Sequence, residues 1–503
     1  MDGPRATVPG EPLGSLIGRN ARALAASQAS GKVAGFAAMV VLARFLGRVD
    51  FGRYTVAVAL VSLLAVVAES GTSTYQVREG SQRPHDLGRI LGHVLLIRGV
   101  LGLASIAVTV PIGLALDYDS TTFVAVVIFA AASAIRLLAG PFLTTLQVLE
   151  RMGDMARVQA EQSVVQAAVM GAVAVATRDV IAVSWAVLGL SVLYPAWALH
   201  NLRRRWHGAI ALHTDGFFTT VRTTVAFAVS AAMFMLLAYL DSVMVQAFDG
   251  NAAAGLYGAA YRILIALSII PAVYTQAVTR SMTHLAVVDR DRMSDLYSRT
   301  VGHLVTFGFP LAAGGAILSR PLITLMFGDR YAGAGTALAI LLATLVLVFP
   351  GYVNVTAAYA LGLERTLAAV MVVVVAANAG ANLVAIPALG IKGAALATLG
   401  AECLFLILIG PRLLSAGLRP RLLSAVAKAT LATVAMAVVV WPLRDLPLAV
   451  PVVTGAVIYA GLLVALRAFS PEDRVILSGF VGRKRPEAAS VSLPLGDGEA
   501  TVP

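Results

Sequence analysis

The sequence predicts an all-α membrane protein of about fourteen transmembrane helices, and three observations carry that expectation. Of its 503 residues 58% are hydrophobic and only 13% charged, with a mean hydropathy of +0.83, whereas soluble domains hold about a quarter charged residues. Apolar stretches of roughly twenty residues, the length a helix needs to cross a bilayer core, recur along nearly the whole chain. These runs are too long and too evenly apolar for barrel strands, and inside hydrocarbon a helix satisfies its own backbone N–H and C=O groups.

Start and stop signals place segments near 21–46, 54–77, 88–115, 121–148, 155–177, 181–200, 218–247 and 253–279, then near 296–319, 331–361, 366–388, 392–412, 422–442 and 447–467. The first is not read as a signal peptide, because no small-residue cleavage site leads into a polar mature domain. The single cysteine, Cys403, lies in an apolar run and is read as a packing residue, which excludes an intrachain disulfide.

Basic residues between the segments set the orientation. With the N-terminus in the cytoplasm, the inner side carries 24 of them, including Arg203, Arg204 and Arg205, and the outer side 7. Both termini are therefore expected on the cytoplasmic side of the plasma membrane. The net charge of +11 is a topology signal, and no compact basic domain exists to bind nucleic acid. Residues 1–15 and 471–503 form cytoplasmic tails, the first of them disordered, and the Pro, Gly, Ser and Ala of 486–503 point the same way. No loop is long enough to hold a soluble domain. That argues against a membrane glycosyl polymerase or ligase, which needs a sizeable outer loop for its catalytic groups. His93 and His303 lie singly inside segments and are read as helix-to-helix hydrogen-bonding residues. No catalytic residue, metal or cofactor is expected.

An internal repeat divides the chain. Residues 42–57 read LARFLGRVDFGRYTVA, and 203 positions later residues 245–260 read VQAFDGNAAAGLYGAA. Phe45 aligns with Phe248, Gly47 with Gly250, Gly52 with Gly255 and Tyr54 with Tyr257. The offset spans six helices, an even number, so both halves have the same orientation in the membrane. Parallel repeats of this kind are a transporter architecture, with the site between the halves near midplane. The expected division is an N-lobe at 16–213, a C-lobe at 214–415 and a peripheral pair at 416–470.

The residues also resemble a family. The stretch LARFLGRVDFGRYTVAVALVSLLAVVAESGTSTYQVRE resembles the opening of the polysaccharide transporter family (Wzx-type oligosaccharide flippases), within the multidrug/oligosaccharidyl-lipid/polysaccharide exporter superfamily. DSVMVQAFDGNAAAGLYGAAYRI at 241–263, FGDRYAGAGTALAIL at 327–341 and NLVAIPALGIKGAALATLGAE at 382–402 agree in order and spacing. The resemblance implies two six-helix lobes, helices 1–6 and 7–12, facing each other across a cleft. Helices 13 and 14 are then peripheral additions, which favour a lipid-linked glycan over a drug. It implies a flippase for a polyprenyl-diphosphate-linked oligosaccharide in a bacterial plasma membrane, working by alternating access with no covalent step. A lipid-linked peptidoglycan precursor flippase, a drug or cation antiporter and a non-transporting scaffold of envelope assembly are the alternatives.

Charges within the segments nominate the site, since ionisable groups there normally face a protein interior or an aqueous cavity. Arg98, Arg136 and Arg262 are expected to bind an anionic head group, with Lys32 and Arg44 as further candidates; guanidinium bonds phosphate oxygens bidentately. Their alternative is internal pairing with Glu69, Glu161, Asp241 or Glu402. Asp241 is the leading candidate for coupling to H+ or Na+ or for a gate paired with Arg44, with Glu69 and Glu402 behind it. Gln159, Gln162 and Gln166 form a polar stripe at i, i+3 and i+7 that lines the cleft or bonds neighbouring helices. Asn378 and Asn382 are read as packing residues, and Pro141, Pro271, Pro310 and Pro350 as hinges. Expected partners are the lipid-linked oligosaccharide, membrane lipids and polysaccharide polymerase or assembly proteins.

Overall fold

The computed structural model describes residues 13–211, 217–420 and 422–468, with side chains described from Val33 onward except at 67, 68, 70, 74 and 217–231. Residues 1–12 and 471–503 of the expected tails, and the Lys32 side chain, lie outside the described part. The first half comprises α1 (Leu13–Gln82), α2 (Leu87–Ala115), α3 (Ser120–Leu137), α4 (Ala139–Val148), α5 (Met152–Thr177) and α6 (Val180–Arg203). The second comprises α7 (Phe217–Leu267), α8 (Ile269–Val288), α9 (Arg290–Ile317), α10 (Ser319–Phe327), α11 (Gly335–Ala343), α12 (Leu345–Ala360), α13 (Glu364–Leu389) and α14 (Ile391–Ser415). Then come α15 (Leu423–Leu443) and α16 (Ala449–Ala465). The protein is an all-α membrane protein, and each of the fourteen expected segments falls on helix.

Among the described residues nine helical stretches are long and apolar enough to cross a bilayer. Two of them hold two expected segments apiece, because α1 and α7 are each helical on both sides of one non-helical glycine. Gly47 (φ 77°, ψ 176°) and Gly250 (φ 79°, ψ −179°) adopt the same backbone conformation, a region open essentially to glycine alone. Three of the expected segments are broken in the middle. Leu138 separates α3 from α4 just before Pro141, Ser268 separates α7 from α8 just before Pro271, and Thr344 separates α11 from α12 ahead of Pro350. The last pair bends by 43°. Pro310 sits inside an unbroken α9. The expected outer loop after α9 holds a further short helix, α10.

The packing pattern repeats from half to half. Helix α1 packs on α5 as α7 packs on α13, and α2 on α3 as α9 on α11. Likewise α3 meets α6 and α5 meets α6, as α11 and α13 meet α14. The halves join chiefly through α1 against α7. There the repeat residues meet one another. A Cβ on Gly52 would lie 1.7 Å from the Asn251 carbonyl oxygen, and one on Gly255 would lie 2.1 Å from the Arg48 carbonyl oxygen. Arg48 and Asn251 are themselves 203 positions apart, so the contact is reciprocal, as an approximate two-fold axis requires. Small residues permit this backbone approach. Helices α15 and α16 pack on α9 through a separate cluster of Met436, Val440, Tyr459 and Leu463, and the Tyr459 hydroxyl donates to the Thr306 carbonyl at 2.6 Å.

Candidate functional site: a cavity beside a buried carboxylate

A cavity of about 960 Å³ opens among α1, α7, α8, α12, α13 and α14. Its walls are mostly apolar, with Phe36, Met39, Phe234 and Phe405 among them, and Arg262, Glu402 and Thr398 bring polar groups into it. Arg262 and Glu402 form no ion pair with each other among the described residues. The Tyr54 hydroxyl lies within electrostatic reach of both Arg262 and Arg136. Tyr54 is 3% exposed, and the two cations that reach it come from different halves, Arg136 at the end of α3 and Arg262 on α7.

Arg98, also expected to bind the head group, is spent elsewhere. It is 1% exposed. Its Nε donates to Thr72 Oγ1 at 2.9 Å, Nη2 to Ser73 Oγ at 2.7 Å and to the Glu69 carbonyl at 3.3 Å, and Nη1 to the Leu137 carbonyl at 3.1 Å. The last contact has a specific cause. Pro141 has no N–H, so the carbonyl four residues back, that of Leu137, loses its helical donor, and in a membrane such a group needs another. Gly140 makes room, since a Cβ there would lie 1.9 Å from Arg98 Nη1. Gln76 Nε2 completes the kink by donating to the Pro141 carbonyl at 2.9 Å and to Thr145 Oγ1 at 2.8 Å. Arg98 holds a broken helix.

Asp241 lies in a second polar cluster. Only 1% exposed, it accepts from Thr398 Oγ1 at 2.6 Å, Asn382 Nδ2 at 2.7 Å and Tyr257 Oη at 2.8 Å. Asn382 Nδ2 also donates to Asn378 Oδ1 at 3.1 Å, while Asn382 Oδ1 and Asn378 Nδ2 find no partner. Asn378 and Asn382 are thus more than packing residues: both belong to the Asp241 cluster. Their i, i+4 spacing on one face of α13 is the signal that pairs them. Thr398 went unnoticed in the sequence, and it touches both the cluster and the cavity.

Arg44 does not serve Asp241. Its Nε donates to the Met326 carbonyl at 2.7 Å and its Nη2 to the Leu325 carbonyl, capping the C-terminal end of α10. Beside it the Tyr331 hydroxyl donates to the Ala43 carbonyl at 2.9 Å. A third link involves Asp119, the N-cap of α3. Arg53 Nη2 reaches Asp119 at 2.8 Å and Asn251 Nδ2 donates to its other oxygen at 2.9 Å, so α1, α3 and α7 meet on one carboxylate. Burial acts to raise the Asp119 carboxyl, but the Thr122 hydroxyl and N–H, Arg53 and Asn251 together hold it below its usual range.

Glu69 is exposed and lies within electrostatic reach of Arg98 and Tyr194. Gln162 Nε2 donates to Gln166 Oε1 at 2.6 Å, and Gln166 Nε2 contacts Met170 Sδ at 3.6 Å; with Gln159 half-buried, the stripe bonds along α5. His303 does not stand apart, for its Nδ1 lies 2.6 Å from the Tyr274 hydroxyl.

This architecture is shared with solved transporters. A lipid II flippase MurJ in an inward closed conformation superposes with a TM-score of 0.73 at 14% identity, over 88% of this chain and 98% of that one. An inward-facing multidrug resistance MATE family transporter of the MOP superfamily gives 0.61 at 14% identity, over 77% and 95%. A MOP superfamily transporter from Pyrococcus furiosus gives 0.54 at 14% identity, over 79% and 96%. At such identities the likeness is one of fold. No curated protein matches the chain. The profile of the polysaccharide biosynthesis proteins matches residues 17–279, and the chain belongs to that family.

Proposed function

We propose that the protein is a flippase that carries a polyprenyl-diphosphate-linked oligosaccharide from the cytoplasmic to the outer leaflet of the bacterial plasma membrane, for surface polysaccharide assembly. The observation that carries this reading is the cavity that α1 encloses with the second half, with Arg262 in its wall and Arg136 within electrostatic reach of the same Tyr54 hydroxyl. Two guanidinium groups from opposite halves suit a diphosphate, which each grips bidentately. The lipid tail stays in the bilayer and leaves laterally between the lobes, 16–213 and 214–415, while 416–470 stays peripheral. Both termini are cytoplasmic, from the distribution of basic residues.

With that orientation Gly52, Gly255, Asp119, Asn251 and Tyr331 lie on the outer side. Their contacts seal it, so the conformation described is closed outward, and alternating access requires this seam to part. Asp241 is the coupling residue. Its carboxylate, with the amide oxygens of Asn378 and Asn382 and the Thr398 hydroxyl, offers the all-oxygen donors that suit a hard cation such as Na+, with H+ as the other candidate. Deleting the gene and analysing lipid-linked intermediates tests the reading. Build-up of a defined glycolipid on the cytoplasmic side is expected, with loss of a surface glycan. Unchanged surface glycans and no build-up would sink it, and build-up of the peptidoglycan precursor would reassign the substrate.

A further inference from the structure

The cavity is electrically divided. Arg262 faces the junction of the halves, where its charge reaches Tyr54. Glu402 points into the second half, against α12: a Cβ on Gly351 would sit 3.8 Å from its Oε2, and the Tyr261 and Tyr352 hydroxyls lie within its electrostatic reach. Tyr352 and Tyr359, seven residues apart on one face of α12, are 36% and 45% exposed and line the same space. Tyr261 is held in place from behind, its ring stacked at 5.8 Å on Tyr257, whose hydroxyl is fixed by Asp241. This end of the cavity therefore presents Tyr261 and Tyr352 beside one carboxyl group that forms no ion pair among the described residues, with Tyr359 two turns further along the same wall.

A charged diphosphate finds no cation to pair with at that end. A sugar ring needs none. Its C–H face lies on an aromatic ring, and its hydroxyls or an ammonium donate to the carboxylate and the tyrosine oxygens. A sugar bearing its own carboxylate brings a second acidic group against the Glu402 carboxyl, with no cation at that end to pair with either. We propose that Glu402, with Tyr261, Tyr352 and Tyr359, forms the sugar subsite of the cavity and selects a neutral or amino sugar next to the diphosphate, rejecting a uronic acid. This rests on the flippase reading, and it divides the labour: Arg262 holds the diphosphate common to all substrates, Glu402 reads the first sugar.

The test is binding of polyprenyl diphosphate, bare or carrying one glucose, glucosamine or glucuronic acid, to the purified full chain in lipid nanodiscs. The glucose and glucosamine forms should bind at least about 10-fold more tightly than the glucuronic acid form. Glu402→Gln should shrink that gap to about threefold or less, and Tyr352→Ala should weaken the glucose form while sparing the bare carrier. Retained binding of the bare carrier by Glu402→Gln reports that the variant is folded, and Arg262→Gln should weaken all four ligands alike. Equal affinity for glucose and glucuronic acid forms in the native protein overturns the subsite. So does a Glu402→Gln effect of the same size on all four ligands, which would make Glu402 a coupling or structural group. Failure of every ligand, bare carrier included, overturns the flippase reading instead.

Discussion

Gly52 and Gly255 pack back to back. Each backbone nitrogen lies about 3 Å from the point where the other's Cβ would stand, at 3.0 and 3.1 Å. The two are counterparts in the sequence repeat, and counterparts that touch each other lie on the axis relating the halves. The next pair along, Thr55 and Gly258, repeats the contact, with 2.7 Å between a Cβ built on Gly258 and the Thr55 side chain. At Gly52 and Gly255 the junction of the halves is therefore a seam of backbone against backbone.

Alanine at either seam glycine should be costly. The intruding methyl meets backbone, which cannot move aside, so Gly52→Ala or Gly255→Ala should destabilise by about 1–3 kcal/mol or separate the outer ends of α1 and α7. Thermal unfolding in detergent checks it. Gly99→Ala and Gly153→Ala, where a Cβ meets nothing within 4 Å, should leave the midpoint unchanged.

Arg98 and Arg262 should separate stability from binding. Arg98→Gln leaves the Leu137 carbonyl without its donor, a loss of about 1–3 kcal/mol for each buried group orphaned, while the folded fraction binds the diphosphate carrier normally. Arg262→Gln should reverse the pattern, with an unchanged melting temperature and affinity down by about tenfold, the loss of one charge-assisted contact. Parallel thermal shifts and carrier titrations decide between these outcomes.

Replacing Asp241 by Asn should abolish ion-dependent transport, and Thr398→Ala should weaken ion affinity by about tenfold or more, as loss of an ordering partner does at metal sites. Sodium titrations of the native and variant proteins, followed by calorimetry at constant pH, supply the measurement. Sodium binding of undiminished strength in Asp241→Asn would remove this residue from coupling.

The outer seam should respond to acid through Asp119. Its carboxyl is held below the usual value near 3.8, so its contribution is complete above that pH and is lost as pH falls through the lower folded value. Spin labels at Val49 and Ala252 should report a fixed distance from pH 7 down to pH 5 and a distribution that widens progressively as pH falls below 3.8. Asp119→Ala should show the wider distribution at every pH.

Much of this was legible beforehand, and the exceptions have a common cause. The spans follow from hydropathy, and the Phe-x-Gly pair at Gly47 and Gly250 marks the repeat because the backbone conformation there admits little but glycine. Arg262, an ionisable group in an apolar run, lines the cavity. Arg98 has the same appearance in sequence. Its role depends on Pro141, 43 positions later, freeing a carbonyl that only the packed bundle brings to it. Asp241 meets Asn382 and Thr398 across 141 and 157 residues, a separation that periodicity within one helix does not reveal. Arg44 looked like a gate cation until α10, a short helix in an expected loop, supplied the carbonyls it caps.

The central claim is movement of a lipid-linked glycan through the cavity that α1 encloses with the second half. The most direct measurement is translocation of a radiolabelled polyprenyl-diphosphate-linked oligosaccharide in proteoliposomes, read by the fraction of glycan reachable from outside. The native chain should move the label to the opposite leaflet well above the protein-free rate, and Arg262→Gln should remove most of that excess. A native rate equal to that of empty liposomes, with carrier bound and the protein folded, would contradict it.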